Sequence, residues 1–278
     1  MTDPASRAHI LLTNDDGFDA AGIKALYTAL APRFDVTIAA PDHDQSGISH
    51  AFSLDPISVC RHAAENGSLP GFRVRGTPSD CIKLAISRLL GRRPDVVVSG
   101  MNVGENSGIS GYYSGTVAAA REGAFWRIPS FAFSMSGDNT ALLAGYSRWA
   151  ADILAHLLKQ HARRPFETEN RIFFNVNFPS CAPEACKGLL ATRQSLAWFD
   201  DRYRQIPDAN GAERFQIYGE KSDLEPGDLY DSRALLNGWA TITPLDFDAT
   251  AESARLRLSE SPLPVPAPAS ATTPRSAC

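Results

Sequence analysis

The chain has 278 residues, 44% of them hydrophobic and 21% charged, with 27 basic against 31 acidic side chains for a formal net charge of -4. That is the content of a globular chain of one large or two modest domains. With an isoelectric point near 5.9 it carries no general positive field for a nucleic-acid polymer, so none is expected as a partner. No apolar run approaches the roughly 20 residues of a membrane span, and the polar start MTDPASRAHI lacks the charged-then-apolar order of a secretory signal. The five cysteines form no CxxC pair, which argues against a zinc ribbon or a disulfide framework. The expected setting is the cytoplasm, with no membrane contact.

In chain order, residues 1–8 are expected to be flexible. The run HILLT (9–13) reads as a short buried strand, followed by Ile23, Leu26, Tyr27 and Leu30 at helical spacing. FDVTIAAP (34–41) gives a second strand that Pro41 ends. GTPSDCIKLAISRLLG (76–91) carries its own helix start, with Thr77 as N-cap, Pro78 at the first helical position and Asp80 three residues after the cap. Ile82, Ala85, Ile86 and Leu89 form its apolar stripe. PDVVVSG (94–100) and IPSFAFSM (128–135) are apolar enough to be strands buried on both faces. A long amphipathic helix is expected around 140–159, with Leu142, Tyr146, Trp149, Ile153 and Leu157 on one face. RIFFNVNFPS (171–180) is one more strand.

The alternation predicts a Rossmann-like, doubly wound α/β domain with a mostly parallel sheet. Its core covers about 9–180, and GWATITPLDFDAT (238–250) returns a strand to it. Between them, about 187–238 lacks sustained periodicity and reads as an extended hairpin or arm region serving oligomer contacts. Residues 9–260 are thus taken as a single domain, and the Pro-, Ala- and Ser-rich tail 261–278 as disordered.

Right-handed crossovers bring the loops after the parallel strands to one carboxyl edge, where such folds bind ligands. Those loops are TNDDG, PDHDQSG and SGMNVGENSG, rich in carboxylates, amides and a hydroxyl, with no thiolate. This oxygen set suits a hard cation such as magnesium, manganese or calcium. In GYYSGTVAAAREGAFW (111–126), Ser114, Gly115 and Thr116 precede an Ala-rich helix, so their amides and hydroxyls can face an anion at a helix N-terminus. A metal beside a phosphate site is the layout of phosphoester hydrolysis. No GxGxxG follows the first strand and no GxxxxGK[ST] occurs, which sets aside dinucleotide oxidoreductases and P-loop kinases.

The segments ILLTNDDG, VTIAAPDHDQSGIS, GTPSDCIKLA, PDVVVSGMNVGENSG, YSGTVAAAREG, FFNVNFP and ATITPL, in this order, resemble the SurE family of stationary-phase survival proteins, which are metal-dependent nucleoside monophosphate phosphatases. The resemblance implies that one divalent cation per subunit, Mg2+ or Mn2+ with Ca2+ able to occupy the place, is held by Asp15, Asp16, Ser46 and Asn102. It implies Asp15 and Asp16 as the catalytic pair, and Asn14, Asn102, Asn106, Ser114, Gly115 and Thr116 around the substrate phosphate. The implied reaction is hydrolysis of nucleoside 5'-monophosphates, with 3'-monophosphates and short polyphosphate as further substrates. The competing expectation is a catalytically silent nucleotide or phosphate sensor with the same metal site. A homodimer or homotetramer built through the C-terminal arm is also implied. Where relatives carry Asn two residues before the loop serine, this chain has Asp44.

Overall fold

The computed structural model describes residues 7–63, 69–163, 172–207, 213–222 and 225–260. Two units separate, Met1–Phe247 and Asp248–Cys278. The expected tail over 261–278 lies outside the described residues, as does the expected flexible start apart from Arg7 and Ala8.

The first unit is built on a sheet whose strands are β1 (His9–Thr13), β2 (Asp35–Pro41), β3 (Val59–His62), β4 (Gly71–Val74), β5 (Val96–Val103), β6 (Ser130–Met135), β7 (Phe173–Phe178), β8 (Leu189–Ala191) and β13 (Ala240–Leu245). Their order is β3-β4-β2-β1-β5-β6-β7-β13-β8. From β4 to β7 neighbours run parallel; β3 pairs antiparallel with β4 and β13 antiparallel with β7, so only the margins reverse. The chain leaves β1 on one side toward β2 and comes back on the other at β5. That reversal is the switch point at which open α/β sheets place their ligands.

Alternation along the strands divides the core into two layers. Ile10, Leu12, Val96 and Val98 face α1 (Ala21–Leu30) and α5 (Leu143–Arg163), while Leu11 and Val97 face α2 (Pro78–Leu84) and α4 (Gly115–Phe125). In the first layer an aromatic ladder crosses the sheet to the helix: Phe131 stacks on Phe174 at 5.0 Å and Phe178 on Tyr146 at 4.6 Å between ring centroids. The Tyr146 hydroxyl donates to Cys181 O at 2.6 Å, which satisfies the one polar atom of that buried ring.

The capping box expected at Thr77 is formed in both directions, with the Asp80 N–H on Thr77 Oγ1 and the Thr77 N–H on Asp80 Oδ2. The helix then loosens into a π-helical turn over Ala85–Leu89, which leaves Ile86 and Leu89 half-buried. The long helix starts at Leu143, after a 3-10 turn over Thr140–Leu142 capped by Asn139. Leu142 therefore sits on that turn, and Leu143 takes the buried place.

Beyond β7 the expected arm is more closely tied to the sheet than its composition suggests. β8 pairs with β13 inside the main sheet, and α6 (Asp231–Leu236) buries Ala234 and Leu235. What stands away from the sheet is β9 (Trp198–Phe199) paired with β12 (Lys221–Ser222), and the hairpin of β10 (Arg202–Ile206) with β11 (Arg214–Tyr218). Among the described residues the second unit carries one helix, α7 (Glu252–Ser259), with no buried residue. Among the described residues no helix is long and apolar enough to cross a membrane.

One close approach joins fold to site. α1 packs on the end of β5 so tightly that a Cβ on Gly22 would stand 1.9 Å from Met101 O. Gly22→Ala should destabilise the protein by about 3 kcal/mol, because backbone at both sides of the contact leaves nothing flexible to move. Urea denaturation of the two proteins checks this; an unchanged midpoint would show that α1 can lift without cost.

Candidate active site

β5 runs three residues past the expected end at Gly100. Its register against β6 shifts between Ser99 and Asn102, a bulge that Gly100 permits with a φ of +128°. A Cβ there would lie 2.3 Å from Phe133 O. The shift pairs Asn102 with Ser134 and sets it on the wall of a cleft of about 850 Å3 at the carboxyl edge of the sheet. Asp15, Ser46, Asn106 and Ser114 line the same cleft. Loops after β1, β2 and β5 thus meet, as the topology predicts.

Hydrogen bonds between the loops hold this meeting. The Gln45 N–H donates to Asp15 O at 2.8 Å, and the Ser49 N–H to Tyr113 O at 2.9 Å, in the short helix α3 (Ser110–Tyr113). The serine loop is also anchored from behind: His50 and Lys83 each lie 3.0 Å from an oxygen of buried Glu122, on which the Trp126 indole N–H also donates at 2.9 Å. Burial pushes the Glu122 carboxyl up, but the donors from His50 and Lys83 outweigh it and hold the group below its usual range.

Asp15 is 4% exposed and is gripped by α4. The Thr116 N–H donates to Asp15 Oδ2 at 3.0 Å and the Thr116 hydroxyl to Oδ1. Gly115 lets the carboxylate approach: a Cβ there would sit 2.8 Å from Asp15 Cβ. This changes the reading of the SGT segment. Gly115 and Thr116, expected around the phosphate, stand against Asp15 and are not on the cleft wall, because the helix N-terminus already has a carboxylate as its anion. Ser114 does line the cleft, and its oxygen also accepts from the Val117 N–H as the helix cap.

Asn14 is likewise off the wall. Its Nδ2 donates to Gly17 O at 2.9 Å and so shapes the turn, while its buried Oδ1 has no partner. Asn102 Nδ2 donates to Gly104 O at 2.7 Å, which leaves its oxygen for a ligand. Asp44 Oδ1 accepts from both the Ser46 N–H, at 2.8 Å, and the Ser46 hydroxyl, at 2.6 Å, so the chain's departure at this position positions the loop serine.

Asn106 is fixed by residues that sequence reasoning did not single out. Its N–H donates to Asn177 Oδ1, its Nδ2 to Ser134 Oγ and its carbonyl accepts from Asn175 Nδ2, each at 2.8 Å. Two asparagines two apart in the otherwise apolar strand FFNVNF share one face, and that pattern is the signal that could have found them. The cleft wall also includes Glu105, Tyr113 and a set from the arm, Trp198, Phe199, Asp201, Tyr203 and Ile217.

The residues fit a divalent cation. Desolvation pushes the Asp16 carboxyl up to about 7, with Asp15 and then Asp44 adding like-charge repulsion. Asp15 is raised too, by burial first, against the lowering effect of Thr116. Among the described residues no three His, Cys, Asp or Glu side chains form a ligand cluster; the set here mixes two carboxylates with a hydroxyl and an amide oxygen. Such hard oxygen donors, with neighbouring carboxylates each resisting ionisation, call for a positive charge between them.

A consequence for stability follows from Asp16. In the metal-free protein the folded chain keeps that proton where the unfolded chain, with a carboxyl near 3.8, has lost it. Asp16 therefore lowers stability progressively as pH rises from about 4 to about 7. With chelator present, Asp16→Asn should be more stable than the parent at pH 8 by on the order of 2 to 4 kcal/mol and equal to it at pH 4. Chemical denaturation at the two pH values reads the difference; a gain of the same size at both would refute the charge origin.

A sequence profile described as Survival protein SurE matches residues 10–201. A protein named 5'-nucleotidase SurE from Pseudomonas syringae pv. syringae is 40% identical over 248 residues, covering 87% of this chain and 94% of its own. One of the same name from Methylococcus capsulatus is 38% identical over 245 residues, with 87% and 92% covered. The crystal structure of the SurE protein from Aquifex aeolicus matches at a TM-score of 0.74 and 32% identity, over 91% of this chain and 100% of that one. The three comparisons meet on one assignment: the chain belongs to the SurE family.

Proposed function

We propose that the protein is a metal-dependent phosphatase that hydrolyses nucleoside 5'-monophosphates to nucleoside and phosphate. The observation that carries this reading is the meeting of Asp15, Ser46, Asn102, Asn106 and Ser114 on one cleft at the sheet's switch point. Asp16 follows Asp15 in the chain and feels its charge and that of Asp44, but it does not itself line the cleft. The relatives named 5'-nucleotidase SurE support the choice of substrate. Asp15, Asp16, Ser46 and Asn102 would hold one Mg2+ or Mn2+. When bound, the cation supplies a Lewis acid that polarises the phosphoryl oxygens.

The chain's own groups do the rest. Asn106, held by its hydrogen bonds to β6 and β7, and Ser114, whose hydroxyl proton is free to donate, receive the phosphate. Thr116 keeps the Asp15 carboxylate from turning. One of the two aspartates orients the attacking water and takes its proton as the water oxygen bonds phosphorus; the bond from phosphorus to the ribose oxygen breaks, solvent water protonates that oxygen as it leaves, and the aspartate returns its proton to solvent. Asn14, Gly115 and Thr116 serve this site by shaping the turn and fixing Asp15.

The reading extends to 3'-monophosphates and short polyphosphate, to the cytoplasm, and to a homodimer or homotetramer. Phe215 and Tyr218, exposed on the hairpin of β10 and β11 and outside the cleft lining, support an assembly through the arm.

Phosphate release from AMP should require Mn2+ or Mg2+ and stop with chelator. Asp15→Asn should cost at least about 100-fold in kcat while the circular dichroism stays that of the parent. Near-parental turnover in that variant would overturn the assignment. Nucleotide binding by the parent without turnover would favour the silent sensor.

A further inference from the structure

Part of the cleft wall has no use in the phosphate chemistry. Trp198 and Phe199 of β9, Tyr203 of β10 and Ile217 of β11 border the same cavity as Asp15, Ser46 and Asn102. Trp198, Tyr203 and Ile217 remain 47%, 66% and 52% exposed. A single exposed aromatic is ordinary on a protein surface, but several on one concave wall beside a cluster of polar groups form a surface shaped for a flat apolar ligand face. A phosphate alone fills little of a cleft of about 850 Å3.

The aromatic wall is held in place. Trp198 pairs with Ser222 and Phe199 with Lys221 across the two short strands. Lys221 Nζ donates to Glu105 Oε1 at 2.8 Å and to Ser107 Oγ at 2.6 Å, and the Ile109 N–H donates to Ala197 O at 3.0 Å. The loop that follows Asn102 on β5 therefore carries both the phosphate-side asparagine, Asn106, and the anchors of β9. The distance from metal ligands to aromatics is set before any ligand arrives, which reduces the ordering cost of binding. The Lys221 ammonium lies 5.9 Å from the Phe199 ring centre. Among the described residues, Trp198 and Tyr203 have no such ring or cation partner, so their faces are the ones open to a ligand. Asp201, between these two strands, lines the cleft as well, and an ionised carboxylate can only accept hydrogen bonds.

We propose that this wall is a nucleobase subsite: the base stacks on Trp198 and Tyr203, and Asp201 accepts from N–H groups on the base edge. The inference rests on the phosphatase reading for what becomes of the phosphate, not for the binding of the base. It names the preferred substrates as nucleotides whose base offers adjacent N–H donors. Guanine presents two side by side, which a carboxylate can take together. Uracil flanks its one N–H with two carbonyl oxygens that repel a carboxylate.

The test measures kcat/KM of the full-length, metal-supplied protein for GMP, UMP and ribose 5-phosphate, the last being the same ester without a base. Trp198→Ala should lower the ratio of GMP to ribose 5-phosphate on the order of 10- to 100-fold, chiefly through KM, and Trp198→Phe should restore most of it because a ring face returns. Asp201→Asn should bring the GMP to UMP ratio down about tenfold, since an amide can also satisfy carbonyl oxygens. An unchanged GMP to ribose 5-phosphate ratio in Trp198→Ala, including an equal fall on both esters, overturns the stacking wall. An unchanged GMP to UMP ratio in Asp201→Asn overturns the edge contact. If the parent turns over none of the three, the phosphatase reading fails, and GMP binding measured by calorimetry decides the subsite. Weaker binding to Trp198→Ala upholds it; equal affinity, or no binding to either protein, overturns it.

Discussion

The grip of Thr116 on Asp15 is the contact on which the rest of the site depends. Two successive aspartates after a buried strand repel each other and lose hydration, and Asp15 is nearly enclosed. The amide and hydroxyl at the start of α4 replace the lost water and aim the carboxylate, while Gly115 leaves room for it. Asp16 has no such support. Desolvation and its neighbours Asp15 and Asp44 drive it toward the neutral form. A pair of carboxylates, one pinned and one pushed toward protonation, is the electrostatic arrangement on which the proposed cation rests.

The surrounding structure keeps three loops in register around that pair. The bulge at Gly100 sets Asn102 against Ser134, the buried asparagines of β7 hold Asn106, and Glu122 ties the serine loop to α2 and α4 through Lys83 and its own helix. Each tie is a buried or half-buried polar contact, costly to break once water is excluded. The raised carboxyl of Asp16 costs the fold some stability at neutral pH, a balance usual at a functional constellation.

The arm belongs to the same logic. Lys221 and the backbone of Ile109 join β9 to the loop after β5, so the aromatic edge of the cleft and its polar floor share one support. The proposed base wall and Asn106 are thus braced by one stretch of chain, residues 105–109.

Much of this is legible in the residue pattern. Strands such as HILLT and PDVVVSG declare themselves by unbroken apolar runs, the helix after GTPSD by its cap, and the loops NDDG, DQSG and GMNVG by oxygen-bearing side chains at strand ends. Parallel topology then requires those loops to share an edge, because right-handed crossovers leave no other place for them. The residue pattern alone was enough to specify the doubly wound sheet and the identity of the groups at its carboxyl edge. What each group faces was settled by packing: Thr116 and Gly115 serve Asp15 rather than the cleft, Asp44 positions Ser46, β8 and α6 return to the sheet, and the arm's aromatics border the same cleft as Asp15, Ser46 and Asn102. Local pattern specifies elements and their order, whereas the partner of a side chain is set by residues 101 positions away for Thr116 and Asp15 and 116 for Lys221 and Glu105, brought near only by packing.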